Sequence, residues 1–242
     1  MSTLKATTIE PATGTNVTLG TTGDTVALPG NTLALDTWKD SGGNTLFTSN
    51  GSGTVSSVNS AFAGAGPVLI QSQTASNSAN ISFTSGIDST YDKYMFVFIN
   101  VNPASDGTNF TFQVSTDGGS SYGMNITSTN FVATHGEDGS NGRIEYVTAG
   151  DLAESTSYQP LGLYVGSASD ECISGVLYLF APSSTTYVKQ FYGTFNNYTS
   201  SIYTRNAYVA GYVNSTSDVD AIDFKMASGN VTAGTIKLYG VK

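Results

Sequence analysis

From about residue 67 onward the chain repeats one pattern: apolar side chains alternate with a period of two in short segments separated by turns rich in Gly and Asn. In DKYMFVFINV, Tyr94, Phe96 and Phe98 fall on one face of a strand, and the residues between them, also apolar, fall on the other. Because both faces are apolar, we expect this strand to lie buried between two layers. Pro67 opens an earlier strand, and the others are predicted at 81–84, 110–115, 143–147, 161–165, 173–180, 188–195, 203–213, 221–226 and 235–241. About ten strands at this spacing predict an all-β fold, a jelly-roll-like β-sandwich, with a helical turn expected only at 149–155.

The composition favours strands over helices and limits the partners. Charged residues make up 11% of the chain, compared with about 25% in typical globular domains, and the net charge is −9. Such a chain repels a phosphate backbone, so no nucleic acid partner is expected. No segment approaches the ~18–20 apolar residues that span a bilayer, and no membrane insertion is expected. The single cysteine, Cys172, suits a protein made in a reducing cytoplasm.

The first part of the chain has a different pattern from the rest. Short apolar pairs separated by turn residues occur at Val17 and Leu19, Val26 and Leu28, and Leu33 and Leu35. Strands this short are stable only when they stack as rungs or when an extended arm orders against a partner, and both alternatives stay open. The small residues that precede Pro67 indicate a joint. We therefore predict an extended or fibrous β arm at 1–66 that depends on contacts outside its own fold, followed by the sandwich domain at 67–242.

The string STDGGSSY, which contains Asp117, resembles the Asp-box of sialidases and related glycan-processing proteins. In those families the box is a structural turn that usually recurs in each propeller blade, whereas this chain has one clear copy. The enzymes also use three arginines to hold a substrate carboxylate, and this chain has only Arg143 and Arg205. Asp117, Gly118 and Gly119 are therefore predicted to form a structural turn that closes a β-hairpin, without catalysis.

No catalytic, cofactor or metal site is predicted. The single histidine, His135, cannot supply the three or four nitrogen or sulfur ligands that zinc requires. No G-x-S-x-G elbow is present for a nucleophilic serine. A calcium ion on Asp218, Asp220 and Asp223 stays open as an alternative to a solvated acidic turn.

A tyrosine-rich segment, KQFYGTFNNYTSSIYTRNAYVAGYV, gives the candidate contact residues. Aromatic rings at Tyr192, Tyr198, Tyr203 and Tyr208 can stack on sugar rings, or they can pack a sheet face or a subunit interface. We predict that these four tyrosines contact a glycan or another subunit.

Three strings in the chain resemble a module of virion proteins from tailed bacteriophages, particularly marine and cyanophage-like ones. They are IxFTSGIDSTYDxYxFxFxNxxP, LFAPSSTTYVKxF and FKMASGNVTAGTIKLYGVK, where x marks positions that the pattern leaves open. The resemblance covers roughly the last three quarters of the chain. It implies a jelly-roll-like domain, commonly trimeric, behind an N-terminal segment that attaches to the particle.

Together these observations predict a non-enzymatic virion structural protein, made in the host cytoplasm. We expect a homotrimeric tail fibre, decoration protein or adaptor element that contacts other virion proteins. The alternative is a host-attachment protein that recognises host surface glycans through the tyrosine-rich strands or the loops near His135. A third class is a polysaccharide depolymerase.

Overall fold

The computed structural model describes residues 37–40, 42–49, 52, 55–58, 66–140 and 142–242, which fall into two units divided between residues 64 and 65. The apolar pairs predicted from Val17 to Leu35 lie outside the described residues. The predicted domain division at residue 66 stays a prediction. The described ranges contain no helix, and hence none long and apolar enough to cross a membrane.

The first unit contains a small antiparallel sheet. Its strands are β1 (Thr37–Lys39), β2 (Thr45–Ser49) and β3 (Val55–Val58), in the order β1-β2-β3. The rings of Trp38 and Phe47 stack with their centres 5.5 Å apart. The side chains of β1 are exposed, and those of β2 are exposed or half-buried. Within β1 and β2 this sheet therefore buries no side chain fully.

The second unit is a β-sandwich. Its strands are β4 (Val68–Thr74), β5 (Ile81–Phe83), β6 (Lys93–Pro103), β7 (Thr108–Ser115), β8 (Ile126–Gly136), β9 (Arg143–Tyr146), β10 (Gln159–Val165), β11 (Ile173–Phe180), β12 (Lys189–Tyr198), β13 (Tyr203–Val213), β14 (Ala221–Met226) and β15 (Val231–Val241). One sheet has eight strands in the order β4-β15-β6-β11-β12-β13-β8-β9, and the other has four in the order β10-β7-β14-β5. All neighbours are antiparallel, and the chain crosses repeatedly between the sheets. The predicted all-β, jelly-roll-like sandwich is confirmed.

Aromatic side chains from both sheets fill the space between them. Phe98 of β6 meets Phe224 of β14 edge to face, with ring centres 4.9 Å apart, and Phe224 also contacts Phe96 at 5.4 Å. Nearby, Phe112 of β7 meets Phe191 of β12 at 5.1 Å. Such pairs stabilise a core by about 0.5–1.5 kcal/mol each beyond the burial of their area. The two sheets are therefore joined by one continuous aromatic core.

Strand β6 corrects one prediction. Its residues Tyr94, Phe96 and Phe98 are buried in the core, as the alternation indicates. The other face, to which the alternation assigns Met95, Val97, Ile99 and Val101, is not uniformly buried: Met95 and Val97 are half-buried and Ile99 is exposed. Val101 is buried, beyond a register shift in the pairing of β6 with β11. The prediction that both faces are buried is wrong, because within the second unit the four-stranded sheet covers only one side of the eight-stranded sheet.

Two other predictions about local structure are also wrong. Strand β8 is absent from the predicted strands, because its inward positions include the buried polar residues Asn130 and Thr134, which break the apolar alternation. The segment 149–155 forms turns and an isolated β-bridge at Ser155 in place of a helical turn. The missed strand matters for function, since it lies between β13 and β9 in the large sheet.

Candidate functional site

The turn at Asp117 joins strands of different sheets. It follows β7, which pairs with β10 and β14 in the small sheet, and it leads to β8 in the large sheet. The prediction of a β-hairpin at this point is therefore wrong. Gly118 and Gly119 have φ angles of 71° and 83°, values that L-residues with side chains rarely adopt.

The Asp117 carboxylate holds this turn together. It accepts hydrogen bonds from the Ser115 hydroxyl at 2.6 Å, from the Ser121 backbone N–H at 2.9 Å and from the Ser121 hydroxyl at 2.5 Å. These bonds, led by the one from Ser115, lower the pKa of Asp117 from 3.8 to about 2. The backbone N–H of Gly118 also donates to both oxygens of Asp220, each at 3.0 Å. All of these bonds lie within the protein, so the carboxylate organises the loop.

The sheet register separates the four candidate tyrosines. Tyr192, Tyr198 and Tyr208 lie on the outer face of the large sheet, which points away from the aromatic core. Tyr203 lies on the inner face, two residues from the buried Arg205. The tyrosine-rich segment therefore supplies two different surfaces.

Two cross-strand rows cover much of the outer face with apolar and aromatic side chains. Residues directly opposite one another on neighbouring strands share a face and lie in contact range. The first row is Leu69, Tyr239, Met95, Tyr178 and Tyr192, and the second is Val97, Val176, Thr194, Tyr208, Phe131 and Tyr146. We call these two rows the aromatic face. Exposed members include Tyr192, Phe131 and Tyr146, and the rings of Phe131 and Tyr208 stack at 4.8 Å. Isolated exposed apolar residues are ordinary on a protein surface, but a contiguous set marks an interaction surface.

One end of the outer face contains a cavity of about 340 Å³. It is lined by His135, Gly136, Glu137, Asn196, Tyr198 and Thr204, and we call it the histidine cavity. Tyr198 lies opposite Thr204, which lies opposite His135, so three neighbouring strands bring these side chains together. A hydrogen bond to the Glu137 carboxylate raises the pKa of Tyr198. An aromatic ring beside polar groups of this kind can bind a sugar.

The inner face at the same end of the strands carries a polar row. Each residue of this row lies opposite the next one on the neighbouring strand: Asn197 of β12, Arg205 of β13, Thr134 of β8 and Arg143 of β9. The two arginines of the chain, 62 positions apart, therefore meet through the unpredicted strand β8. They line a cavity of about 270 Å³ together with Thr134, Tyr164, Thr199, Ser201 and Tyr203, which we call the arginine cavity.

The turn between β12 and β13 forms one wall of the arginine cavity. The hydroxyl oxygen of Thr199 accepts hydrogen bonds from the backbone N–H groups of Ser201 at 3.4 Å and Tyr203 at 3.2 Å. The backbone N–H of Ser200 donates to the carbonyl of Tyr164 in β10 at 3.2 Å. The cavity therefore lies where the edge of the small sheet meets the end of the large one.

Arg205 is an unusual buried cation. Its side chain lies over the Tyr164 ring at 5.4 Å from the ring centre, and the residue is only 8% exposed. Its Nε–H is buried without a hydrogen-bond partner. Burial lowers the pKa of Arg205, because it disfavours the charged form. Among the residues that the structure describes, the one ion pair joins Arg143 to Glu145 at 3.1 Å, so no carboxylate pairs with Arg205.

The backbone around this cavity is strained at two positions. Tyr164 has a φ angle of 58° and Ile202, in the turn between β12 and β13, has 60°. A left-handed conformation costs about 1–2 kcal/mol for an L-residue, and it is rarest for a β-branched residue such as isoleucine. Strain of this kind often occurs at ligand sites, where the surrounding structure enforces it.

Two of the three carboxylates considered for calcium, Asp220 and Asp223, accept hydrogen bonds from the protein itself. Asp223 is buried and accepts hydrogen bonds from Asn80 at 2.7 Å, Ser82 at 2.5 Å and Tyr158 at 2.9 Å. Asp220 accepts from the Asp117 turn, as described above. Across the described ranges, no group of three His, Cys, Asp or Glu side chains is placed to hold a metal ion.

The arginine cavity is not predicted from the sequence. From the sequence, neither arginine is assigned to a binding site. Four other lining residues are not identified as site residues either: Thr134, Tyr164, Thr199 and Ser201. The one signal for this cavity is the rarity of arginine, which occurs only twice in the chain. In comparisons with protein-family models, curated proteins and solved structures, the chain has no significant match.

Proposed function

We propose that the chain is a non-enzymatic structural protein of a tailed-phage virion, made in the host cytoplasm and assembled as a homotrimer. It is a fibre, decoration or adaptor element that attaches through its N-terminal region. The observation that carries the proposal is the aromatic face, an apolar surface on an otherwise polar chain. The three strings that resemble virion modules support the phage origin and the trimer.

The aromatic face has the chemistry of a protein interface. Tyrosine, phenylalanine and methionine are enriched at interface cores, whereas charged residues are depleted there. Two lysines border the apolar rows: the Lys93 ammonium lies 5.6 Å from the centre of the Tyr178 ring, and Lys237 lies opposite Val97 at the end of the second row. The strands β1 and β2 bury no side chain fully either, which fits a segment that is completed by contacts with other chains.

Native mass spectrometry of the full chain tests the assembly. We expect a trimer for the wild type, and monomers for the double variant Tyr192→Glu, Tyr208→Glu, because an interface cannot bury two unpaired charges. Tyr187→Glu is the matched control: this tyrosine is 73% exposed and outside both rows, so the variant should remain trimeric. A wild-type protein that stays monomeric at all concentrations tested contradicts the proposal.

The histidine cavity favours a second candidate function, recognition of host surface glycans. It combines the Tyr198 ring with the polar side chains of His135, Glu137 and Asn196. An array of bacterial surface polysaccharides tests it with the wild type, Tyr198→Ala and the control Tyr187→Ala. Binding by the wild type and the control, lost in Tyr198→Ala, supports recognition through this cavity. Absence of binding by the wild type contradicts it.

A further inference from the structure

We propose that the arginine cavity binds a sugar residue that carries a carboxylate, of the uronic acid type. The site is separate from the aromatic face and from the histidine cavity, and it goes beyond the virion role. The proposal rests on the convergence of Arg205 and Arg143 in one cavity within a chain of net charge −9.

The buried guanidinium of Arg205 requires an anion. Its Nε–H has no hydrogen-bond partner, and burying a charged group without a counter-ion is costly. Arg143 and Glu145 form an ion pair at 3.1 Å, and the Glu145 carboxylate also favours the charged form of Arg205 at longer range. The two arginines therefore share one carboxylate. The cavity therefore retains one uncompensated positive charge, which a monoanion balances. A guanidinium binds a carboxylate through two parallel hydrogen bonds, and Arg143 on the same row lies in position to assist.

The remaining lining fits the body of a sugar. Tyr164, held beneath Arg205, presents an exposed ring on which the apolar face of a sugar can stack. Ser201, an exposed residue of the turn between β12 and β13, also lines the cavity, and its hydroxyl can pair with a sugar hydroxyl group. A volume of about 270 Å³ is slightly below the range of about 300–1,000 Å³ for drug-sized ligands, so it suits one ring.

A purely structural role for Arg205 accounts for less of this geometry. Stacking on Tyr164 explains why the guanidinium is held in place, but it leaves the Nε–H without an acceptor. It also leaves a cavity beside a buried charge at the point where Tyr164 and Ile202 adopt strained conformations. A bound carboxylate satisfies the orphan donor and fills the cavity.

Isothermal titration of the full chain with D-glucuronate and D-galacturonate tests the proposal, with NMR shifts of backbone amides to locate binding. We expect saturable binding of at least one acid in the millimolar range and none of D-glucose, D-galactose or the methyl ester of glucuronate. Arg205→Lys keeps the charge but loses the planar fork, and it should weaken binding about ten- to hundred-fold. Arg143→Gln, at an exposed position that does not endanger folding, should weaken it about three- to ten-fold.

The controls separate this site from general electrostatics and from the other surfaces. Lys242→Gln removes one positive charge elsewhere, and Tyr198→Ala alters the histidine cavity; both should bind uronate as the wild type does. Acetate and inorganic phosphate serve as bare anions. Equal affinity for acetate or phosphate overturns the sugar assignment. No saturable uronate binding, or binding that survives both arginine substitutions, overturns the site. Each outcome is independent of whether the chain forms trimers.

Discussion

The Arg205 side chain lies 5.4 Å from the centre of the Tyr164 ring, and the two residues come from different sheets of the sandwich. This contact links the end of β13 to the edge strand β10, beyond the aromatic core. A cation over an aromatic ring is worth about 0.5–2 kcal/mol, with the higher values where the pair is desolvated. The contact therefore contributes to stability as well as forming one side of the arginine cavity.

A double-mutant cycle with Arg205→Met and Tyr164→Leu should reveal this link. We expect a coupling energy of about 0.5–2 kcal/mol in the free energy of unfolding, measured by urea denaturation. The same cycle on Arg205→Met and Tyr187→Leu should give none, because Tyr187 lies on a separate exposed loop. Strict additivity of the first pair would show that the ring and the cation do not interact.

The stability of the protein should depend on pH through the ionisation of Asp117. Its folded-state pKa of about 2 lies below the ordinary value of 3.8, so its contribution is present above about pH 3.8 and is lost as the pH falls to about 2. In thermal melts between pH 2 and pH 6, the wild type should therefore lose stability relative to Asp117→Asn as the pH falls through this window. Parallel melting curves for the two proteins across the window would contradict the role given to this carboxylate. Asp117→Ala should likewise lower stability at neutral pH, and the folded variant should keep any host attachment.

Two neighbouring glycines offer a matched comparison. Gly118 and Gly119 both have positive φ angles, so alanine at either costs about 1 kcal/mol in backbone strain. A Cβ at Gly118 meets open space, whereas one at Gly119 lies 2.7 Å from a methyl group of Thr84 and 2.8 Å from the Tyr122 hydroxyl. Gly119→Ala should therefore destabilise the protein more than Gly118→Ala, by about a further 1–3 kcal/mol in urea denaturation. Equal losses would mean that the loop shifts to accept the side chain.

Relief of strain at Ile202 should stabilise the protein. Asparagine tolerates the left-handed conformation better than a β-branched residue, so Ile202→Asn should raise the free energy of unfolding by about 1 kcal/mol. The side chain is exposed, so little burial is lost. Ile144→Asn is the matched control, because it replaces another exposed isoleucine, one without a positive φ angle, and it should give no such gain. A loss of stability in Ile202→Asn would show that the isoleucine makes contacts that outweigh the strain.

The sequence predicts most of the sandwich because alternation records which side chains face the core. The segments at 173–180, 203–213 and 221–226 match β11, β13 and β14 at both ends, since their inward positions are mostly apolar. Strand β8 escapes the same method because Asn130 and Thr134 face inward there. A period-two pattern cannot detect a strand whose buried positions are polar.

The arginine cavity could not be predicted for the same reason. Arg205 and Arg143 meet only through Thr134, and Thr134 lies on the strand that the pattern misses. The sequence does predict that the tyrosines fall on two faces. Tyr203 and Tyr208 are an odd number of positions apart along β13, so their side chains point to opposite sides of the strand. Which face each set occupies depends on pairing between strands, and that is a property of the whole sheet.

The position of β15 has a consequence for folding kinetics. This strand lies between β4 and β6, and it joins Thr74 to Thr235 across 161 positions of the chain. β15 cannot pair with β4 or β6 through a local turn. Long loops must therefore close, at a cost in chain entropy, before most of the stabilising contacts form. Refolding is therefore expected to take milliseconds to seconds, and until β15 docks, the outer edge of β6 stays open to pairing with other molecules.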